Sequence, residues 1–142
     1  MLCEDCLPYE SRRAGFLYGA AAGNGRRDHR NHVRRYVGRE DALTLLEEIE
    51  GLPVACLLAS IGSSSFSASR LGKSGHIAVC WVEPANRRSG IAAKLVSAAE
   101  DWFRQREVGV IELSYMVKNE LAAISWQRLG YQPFRVFAYK EI

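Results

Sequence analysis

The stretch VEPANRRSGIA, residues 82–92, joins a strand-like apolar run to an amphipathic helical run through a basic loop. Free backbone N–H groups at a helix start, together with the positive end of the helix dipole, bind anions. Small residues and two arginines favour a bulky anion here: Arg87, Arg88, Ser89, Gly90 and Ala92. The loop therefore predicts a site for a phosphate-bearing ligand, although an ordinary strand-to-helix turn has the same pattern. The loop contains neither the GxxxxGK[ST] motif of a nucleotide P-loop nor the GxGxxG motif of a dinucleotide-binding fold.

Strand and helix patterns alternate on both sides of this loop. The run HIAVCWV, residues 76–82, is rich in β-branched and aromatic residues and predicts a buried strand. Residues 91–107 carry apolar side chains at helical spacing and predict an amphipathic helix. The other predicted elements are helices at 8–23, 27–37 and 119–129, the last capped by Asn119 and closed by Gly130, a hairpin of strands at 42–49 and 53–61, and strands at 110–117 and 134–142.

The order of these elements predicts an α/β fold of the α+β kind, with a mixed, mostly antiparallel sheet flanked by helices. A chain of 142 residues has the size of one domain. We expect one domain over residues 1–142, with an atypical helical part at 1–40 and a core at 42–142. The composition, 48% hydrophobic and 25% charged, excludes a disordered or fibrous protein.

The longest apolar run, residues 14–23, is shorter than the roughly 20 residues of a membrane helix, so we expect no membrane span. The SRR of residues 11–13 before this run resembles a twin-arginine export signal, but an amphipathic helix fits the segment better, and we therefore expect a cytoplasmic location. Cys3 and Cys6 precede His29 and His32 with the spacing C-x2-C-x22-H-x2-H. The gap is too long and the histidine pair too tight for a zinc finger, so we predict no metal.

Residues 82–92 resemble motif A of the GNAT superfamily of acyl-CoA-dependent N-acyltransferases. That motif has V-x-P followed by [QR]-x-x-G-x-[GA], which is matched by Val82, Pro84, Arg87, Gly90 and Ala92. A second family pattern, N-x-x-A-[ILV]-x-[FYW]-x-x-L-G-[FY], is similar to NELAAISWQRLGY, residues 119–131, with the alanine one place along. The resemblance extends from about Glu47 to the C-terminus and is weak before it.

The resemblance implies a GNAT-like N-acetyltransferase that moves an acetyl group from acetyl-CoA, its cosubstrate, to a primary amine by direct attack on the thioester. The pantetheine arm would add to strand 76–82 through main-chain groups, one of which polarises the acyl carbonyl. Backbone N–H groups of residues 88–92 would take the pyrophosphate. The implied cofactor-binding residues are Cys80, Trp81, Val82, Arg87, Arg88, Ser89, Gly90, Ile91, Ala92, Asn119 and Trp126.

An acceptor amine is largely protonated at pH 7 and must lose a proton before it attacks. Histone-type members of the family carry a catalytic carboxylate near the start of this strand, and the matching residue here is His76. Histidine exchanges its proton near neutral pH, so it is chemically suited to act as the base. Glu112 on the next strand, and Glu47 or Glu48 on the hairpin, are competing candidates.

Trp126 stands where many family members have a tyrosine that protonates the leaving thiolate of CoA. Indole cannot supply that proton, so Tyr115, Tyr131 or Tyr139 could replace it. Alternatively, Trp126 packs on the pantetheine in a module that binds acyl-CoA without catalysis, or it is the apolar anchor of the last helix.

Residues 11–39 contain eight arginines and a single acidic residue, Asp28. Such a cluster can bind RNA or an acidic partner, but acidic residues follow at once and the net charge is only +3. Nucleic-acid binding is therefore a minor alternative. The resemblance places this segment beside the acceptor groove, where it would favour an acidic acceptor, and it implies that the chain can form a homodimer.

Overall fold

Four strands and two α-helices make up the ordered framework of the computed structural model, which describes residues 35–64, 72–138 and 140–142. The strands are β1 (Ala42–Ile49), β2 (Leu52–Ser63), β3 (Lys73–Val82) and β4 (Ile111–Leu113), and the helices are α1 (Ile91–Arg104) and α2 (Glu120–Arg128). The predicted helix at 8–23 lies outside the described residues, as does most of that at 27–37, whose residues 35–37 form a turn.

The sheet has the order β1-β2-β3-β4 and is antiparallel except for the parallel pair of β3 and β4. Glu50 and Gly51 link β1 to β2 with positive φ angles of 54° and 78°. Two such residues make the tight turn whose twist matches that of paired strands. The mixed, mostly antiparallel sheet and its predicted hairpin are thus confirmed.

Helix α1 crosses over between the parallel strands β3 and β4 and covers one face of the sheet. Its buried side chains lie along one stripe and meet alternate side chains of β2, because side chains alternate between the two faces of a strand. The core comprises Ala55, Leu57, Ala59, Ile77, Leu95, Val96, Ala99, Phe103 and Val108. Phe103, which is 0% exposed, lies directly over Gly75.

A β-bulge interrupts β3 at Ala78. Ile77 pairs with Ala59 and Val79 pairs with Leu58, so Ala78 is an extra residue without a partner on β2. The extra residue shifts the alternation, and Cys80 therefore packs against the same core as Ile77. A bulged strand also bends, which directs the second half of β3 away from its course.

Strands β3 and β4 are joined at one end only. Their ladder pairs Gly75, His76 and Ile77 with Ile111, Glu112 and Leu113, and within the described residues it stops there. On the edge of β3 away from β2, residues 78–82 therefore face an opening and have no strand of the described part of the chain beside them. This opening leads directly to the loop that begins α1.

The C-terminal predictions hold in part. Helix α2 begins with the predicted cap, since the Asn119 side chain accepts a hydrogen bond from the backbone N–H of Ala122 at 3.1 Å, and Gly130 follows its end with a φ of 91°. The strand predicted at 110–117 is reduced to Ile111–Leu113. The strand predicted at 134–142 is wrong for the residues described, because that segment pairs with no strand and Phe134 and Phe137 are about three-quarters exposed.

No helix in the described part of the chain combines the length and apolarity that crossing a bilayer requires.

A substitution at Gly75 tests how closely α1 packs on the sheet. A Cβ at Gly75 would lie 2.5 Å from Cε1 of Phe103, whereas a Cβ at Gly109 would meet nothing within 4 Å. We expect Gly75→Ala to lower the free energy of unfolding by about 1–3 kcal/mol, the usual cost of overpacking a core. Urea denaturation measures it, with Gly109→Ala as the control and Phe103→Leu as a partial rescue in the double variant. Equal losses in the two alanine variants would contradict the packing.

Candidate functional site

The loop between β3 and α1 leaves the first turn of the helix uncapped by a side chain. Gly90, the residue before α1, has a φ of 83° and makes no capping hydrogen bond through a side chain. Lys94 N–H donates to the Gly90 carbonyl at 3.0 Å, so the N–H groups of residues 91–93 precede the first such bond of the helix. A Cβ at Gly90 would meet nothing within 4 Å, so this helix start faces open space.

Two side chains brace this loop. Arg87 Nε donates to the Val82 carbonyl at 3.0 Å, and Ser89 Oγ donates to the Asn86 carbonyl. Arg88 adopts a positive φ of 62°, and its side chain is exposed beside Gly90. The loop therefore presents positive charge and helical N–H groups to the same region, as the sequence predicted, while Arg87 also holds the loop against the end of β3.

The register of β3 shows which main-chain groups face the opening. Glu83 N–H donates to the Val54 carbonyl at 2.8 Å, so Glu83 faces β2. Successive residues of a strand point their N–H and C=O groups to opposite edges. Trp81 therefore faces β2 as well, while Cys80 and Val82 face the opening. Of the three residues predicted to bind through their main chain, Cys80 and Val82 direct these groups into the opening and Trp81 directs them toward β2; that they bind a cofactor stays a prediction.

Cys80 is a thiol at the edge of this opening that is not ionised at neutral pH. Burial raises the pKa of Cys80 to about 11, and the thiolate is the nucleophilic form of cysteine. At pH 7 the side chain is therefore a neutral, largely apolar wall. Cys80 is therefore poorly suited to act as the nucleophile of a covalent intermediate.

His76 and Glu112 lie side by side where β3 and β4 are joined. They are partners in the parallel register, and His76 Nδ1 is 3.9 Å from Glu112 Oε2. Their side chains are 32% and 14% exposed. The structure thus brings together two of the three predicted catalytic residues, which the sequence alone placed on separate strands.

Three serines that the sequence analysis missed surround this pair. Ser74 Oγ lies 3.0 Å from His76 Nε2, and the Ser63 carbonyl oxygen lies 3.1 Å from the same nitrogen. Ser64 Oγ donates to Glu112 Oε1 at 2.6 Å. A signal for Ser74 was present, because residues two apart on a strand share a face.

His76 is well separated from the main-chain groups at Cys80. Four residues along a strand span about 13 Å, and a bulge shortens this to roughly 10 Å. Proton transfer requires heavy atoms within about 3.2 Å or a connecting water. If the amine reacts near Cys80, a base at His76 would therefore exchange a proton with it through connecting water, or through polar groups of an acceptor long enough to span the distance.

Of the aromatic residues predicted to act near α2, Trp126 and Tyr131 make packing contacts, and among the described residues the structure assigns no contact role to Tyr115. Trp126 is half-buried against the core and meets Tyr131 edge to face, with centroids 5.3 Å apart. Tyr131 Oη donates to Glu100 Oε1 at 3.2 Å, and burial together with Glu100 raises the pKa of Tyr131 well above its usual value. Tyr131 is thus a poor proton donor. Tyr115 is half-buried just after β4, and its catalytic role stays a prediction; Tyr139 lies outside the described residues.

The remaining residues that the sequence singled out lie outside the His76 and Glu112 pair. Glu47 pairs with Lys94 Nζ, whose distances to its two carboxylate oxygens are 2.7 and 2.9 Å, while Glu48 is exposed. Asn119 uses its side-chain oxygen as a helix cap. Arg39 Nε donates to Asp41 Oδ1 at 2.7 Å, so one arginine of the basic cluster is neutralised locally.

Residues 11–34 of that cluster, and the Cys3, Cys6, His29 and His32 set, lie outside the described residues. The described part of the chain holds no group of three or more metal-ligating side chains.

The sequence matches the model of the acetyltransferase (GNAT) family over residues 9–131. The match begins well before Glu47, the position from which the sequence resemblance was expected to extend. Among curated proteins, the chain is 26% identical over 111 residues to the aminoglycoside N(6')-acetyltransferase type 1 of Acinetobacter haemolyticus, covering 78% of this chain and 77% of that protein.

Solved structures share the fold. The apo crystal structure of the aminoglycoside antibiotic 6'-N-acetyltransferase of Acinetobacter haemolyticus superimposes with a TM-score of 0.78 at 23% identity, covering 99% of this chain and 94% of that one. An aminoglycoside N-acetyltransferase bound to the bisubstrate analogue CoA-S-monomethyl-acetylneamine gives a TM-score of 0.75 at 16% identity, covering 98% and 93%.

The raised pKa of Cys80 predicts slow alkylation. At pH 8 we expect iodoacetamide to label Cys80 in the folded protein far more slowly than in urea, because an unfolded cysteine has a pKa near ~8.5 and is partly ionised there. Labelling of the folded protein should accelerate as the pH approaches 11. Mass spectrometry of the peptide that contains Cys80 measures both rates, and equal rates at pH 8 would contradict the burial of the thiol.

Proposed function

The chain belongs to the acetyltransferase (GNAT) family, and we propose that the amine it acetylates is carried by a polycationic amino sugar of the aminoglycoside class. As a member of this family it is an acetyl-CoA-dependent N-acetyltransferase that acts on an amine. The observation that carries the acceptor proposal is the largely buried carboxylate of Glu112 beside His76, at the joined end of β3 and β4.

The charge at this position suits a cationic acceptor. Glu112 is only 14% exposed, so its attraction for an ammonium group is less screened than that of a surface carboxylate. An acidic acceptor, which the arginine-rich segment suggested, would meet this carboxylate with like charge. The curated relative and the solved neighbours described above act on aminoglycosides by name, which supports the cationic choice.

Acetyl-CoA fits the residues at the opening and the loop. We assign the main-chain groups of Cys80 to the pantetheine arm, because they point into the opening and Val82's carbonyl is already bonded to Arg87. The pyrophosphate is assigned to the N–H groups at the start of α1, with Arg88 supplying charge. Gly90 leaves the space that this approach needs.

The same geometry supports a route for the proton. His76 and Glu112 receive the proton that the acceptor ammonium must lose, through water across the roughly 10 Å to the acyl position. A thiol with a pKa near ~8.5 is a tolerable leaving group, so the reaction proceeds with Trp126 where many family members carry a tyrosine. Trp126 serves instead as the apolar anchor of α2.

A panel of acceptors tests this function. We expect release of CoA thiol from acetyl-CoA to be fastest with aminoglycosides such as neamine and slowest with acidic peptides. Glu112→Gln should raise KM for the aminoglycoside by roughly tenfold, the effect of losing about 1.4 kcal/mol of charge attraction, and leave KM for acetyl-CoA unchanged. Glu120→Gln, which removes an exposed carboxylate on α2, is the matched control.

Two outcomes of the panel contradict the proposal. A preference for acidic acceptors would indicate that the arginine-rich segment, and not Glu112, binds the charge of the acceptor. An unchanged aminoglycoside KM in Glu112→Gln would remove Glu112 from the acceptor site.

Two substitutions at Gly90 separate the effect of added charge on acetyl-CoA binding from the effect of backbone strain. Any L residue at its φ of 83° is strained, so Gly90→Ala carries the strain without the charge. We expect Gly90→Glu to weaken acetyl-CoA binding a further roughly 100-fold relative to Gly90→Ala, because its carboxylate faces the pyrophosphate. Isothermal titration calorimetry measures both Kd values, and equal values would remove the pyrophosphate from this loop.

A further inference from the structure

The imidazole of His76 is held by two oxygens on one side of the ring. Ser74 Oγ and the Ser63 carbonyl lie 3.0 and 3.1 Å from Nε2, while Nδ1 faces Glu112. The ring also lies against Gly62, where an added Cβ would come within 3.4 Å of Cδ2. Its orientation is therefore fixed by contacts from both β2 and β3.

The partners of Nε2 determine which nitrogen carries the hydrogen in the neutral ring. A backbone carbonyl can only accept a hydrogen bond, so the Ser63 contact requires a hydrogen on Nε2. A neutral imidazole has one N–H, which leaves Nδ1 without a hydrogen. Nδ1 is the nitrogen directed toward Glu112 and the end of the ladder.

We infer that Ser74 is a positioning residue for acetyl transfer: with the Ser63 carbonyl, it holds neutral His76 in the Nε2–H form, so that Nδ1 accepts the proton released by the acceptor amine. This rests on the proposed function, in which His76 takes that proton. Ser64 has the corresponding role on Glu112, where its hydroxyl binds Oε1 and orients Oε2 toward Nδ1.

The burial of Ser74 excludes the other chemistry that a serine beside a histidine and a glutamate suggests. A nucleophilic serine must reach its substrate, and Ser74 is 0% exposed beneath the sheet face. Its hydroxyl can act only on its neighbours. A buried hydroxyl that is kept hydrogen-bonded adds rigidity to the group it contacts.

Nitrogen NMR tests the ring state without requiring turnover. In ¹⁵N-histidine-labelled protein at a pH where His76 is neutral, we expect a protonated Nε2 and an unprotonated Nδ1. Ser74→Ala should increase the fraction of the Nδ1–H form, since Nε2–H loses one acceptor and Glu112 remains near Nδ1. A ring already in the Nδ1–H form in the unaltered protein, or a ring that Ser74→Ala leaves unchanged, overturns the inference.

Kinetics test the consequence for catalysis. We expect Ser74→Ala to lower kcat about tenfold with KM for acetyl-CoA unchanged, and to move the acid limb of the kcat profile to lower pH, because protonated His76 loses an acceptor. Glu112 on β4 is the charged group that faces the ring among the described residues, and β2 contributes Ser60 and Gly62. Ser74→Thr retains the hydroxyl and should restore the profile.

Ser60→Ala is the matched control, because Ser60 is the cross-strand partner of His76 on β2 and is not one of the oxygens at Nε2. An equal loss of kcat and an equal pH shift in the two alanine variants would assign the effect to packing and overturn the inference. If the unaltered protein releases no CoA with any amine while the Nε2–H form is observed, the proposed function fails and the ring assignment stands.

Discussion

A parallel ladder of only three residue pairs is the constraint on which the rest of this site depends. Phe103 of α1 covers Gly75 at the closed end of that ladder, and the bulge at Ala78 bends β3 as the ladder ends. Beyond the ladder, the alternation of the strand points the main-chain groups of Cys80 and Val82 away from β2 and into the opening. Because α1 follows β3 through the loop of residues 83–90, the chain brings an uncapped helix start to one side of the opening.

The closed end of the ladder also creates the polar part of the site. Parallel pairing sets His76 beside Glu112 on the sheet face opposite α1, since Ile77 and Leu113 take the core side. The sheet thus divides the proposed site: the main-chain groups that we assign to the cosubstrate lie at the open end, and the titratable side chains lie at the joined end. Their separation of roughly 10 Å follows from the rise of a strand.

Much of this arrangement could be predicted from the sequence because it depends on local patterns. The hairpin at Glu50 and Gly51, the helix start at Gly90 and the Asn119 cap each follow from a few neighbouring residues. The orientation of Trp81, the serine contacts at His76 and the ion pair of Glu47 with Lys94 depend on strand register and on contacts between distant parts of the chain, which periodicity does not encode. The predicted last strand failed for the same reason, since alternation cannot supply a partner strand.

The outward-facing main chain of β3 has a consequence for how such enzymes diverge. N–H and C=O groups are the same whichever side chain a residue carries, so recognition through them places little demand on residue identity. A cysteine can occupy position 80, and a tryptophan the position beside it, without altering what the backbone offers. Selection then acts more strongly on the path of the backbone than on residue identity at these positions, which is consistent with a shared fold at low sequence identity. Under the proposed function, acceptor preference can change around His76 and Glu112 while the main-chain groups assigned to the cosubstrate stay the same.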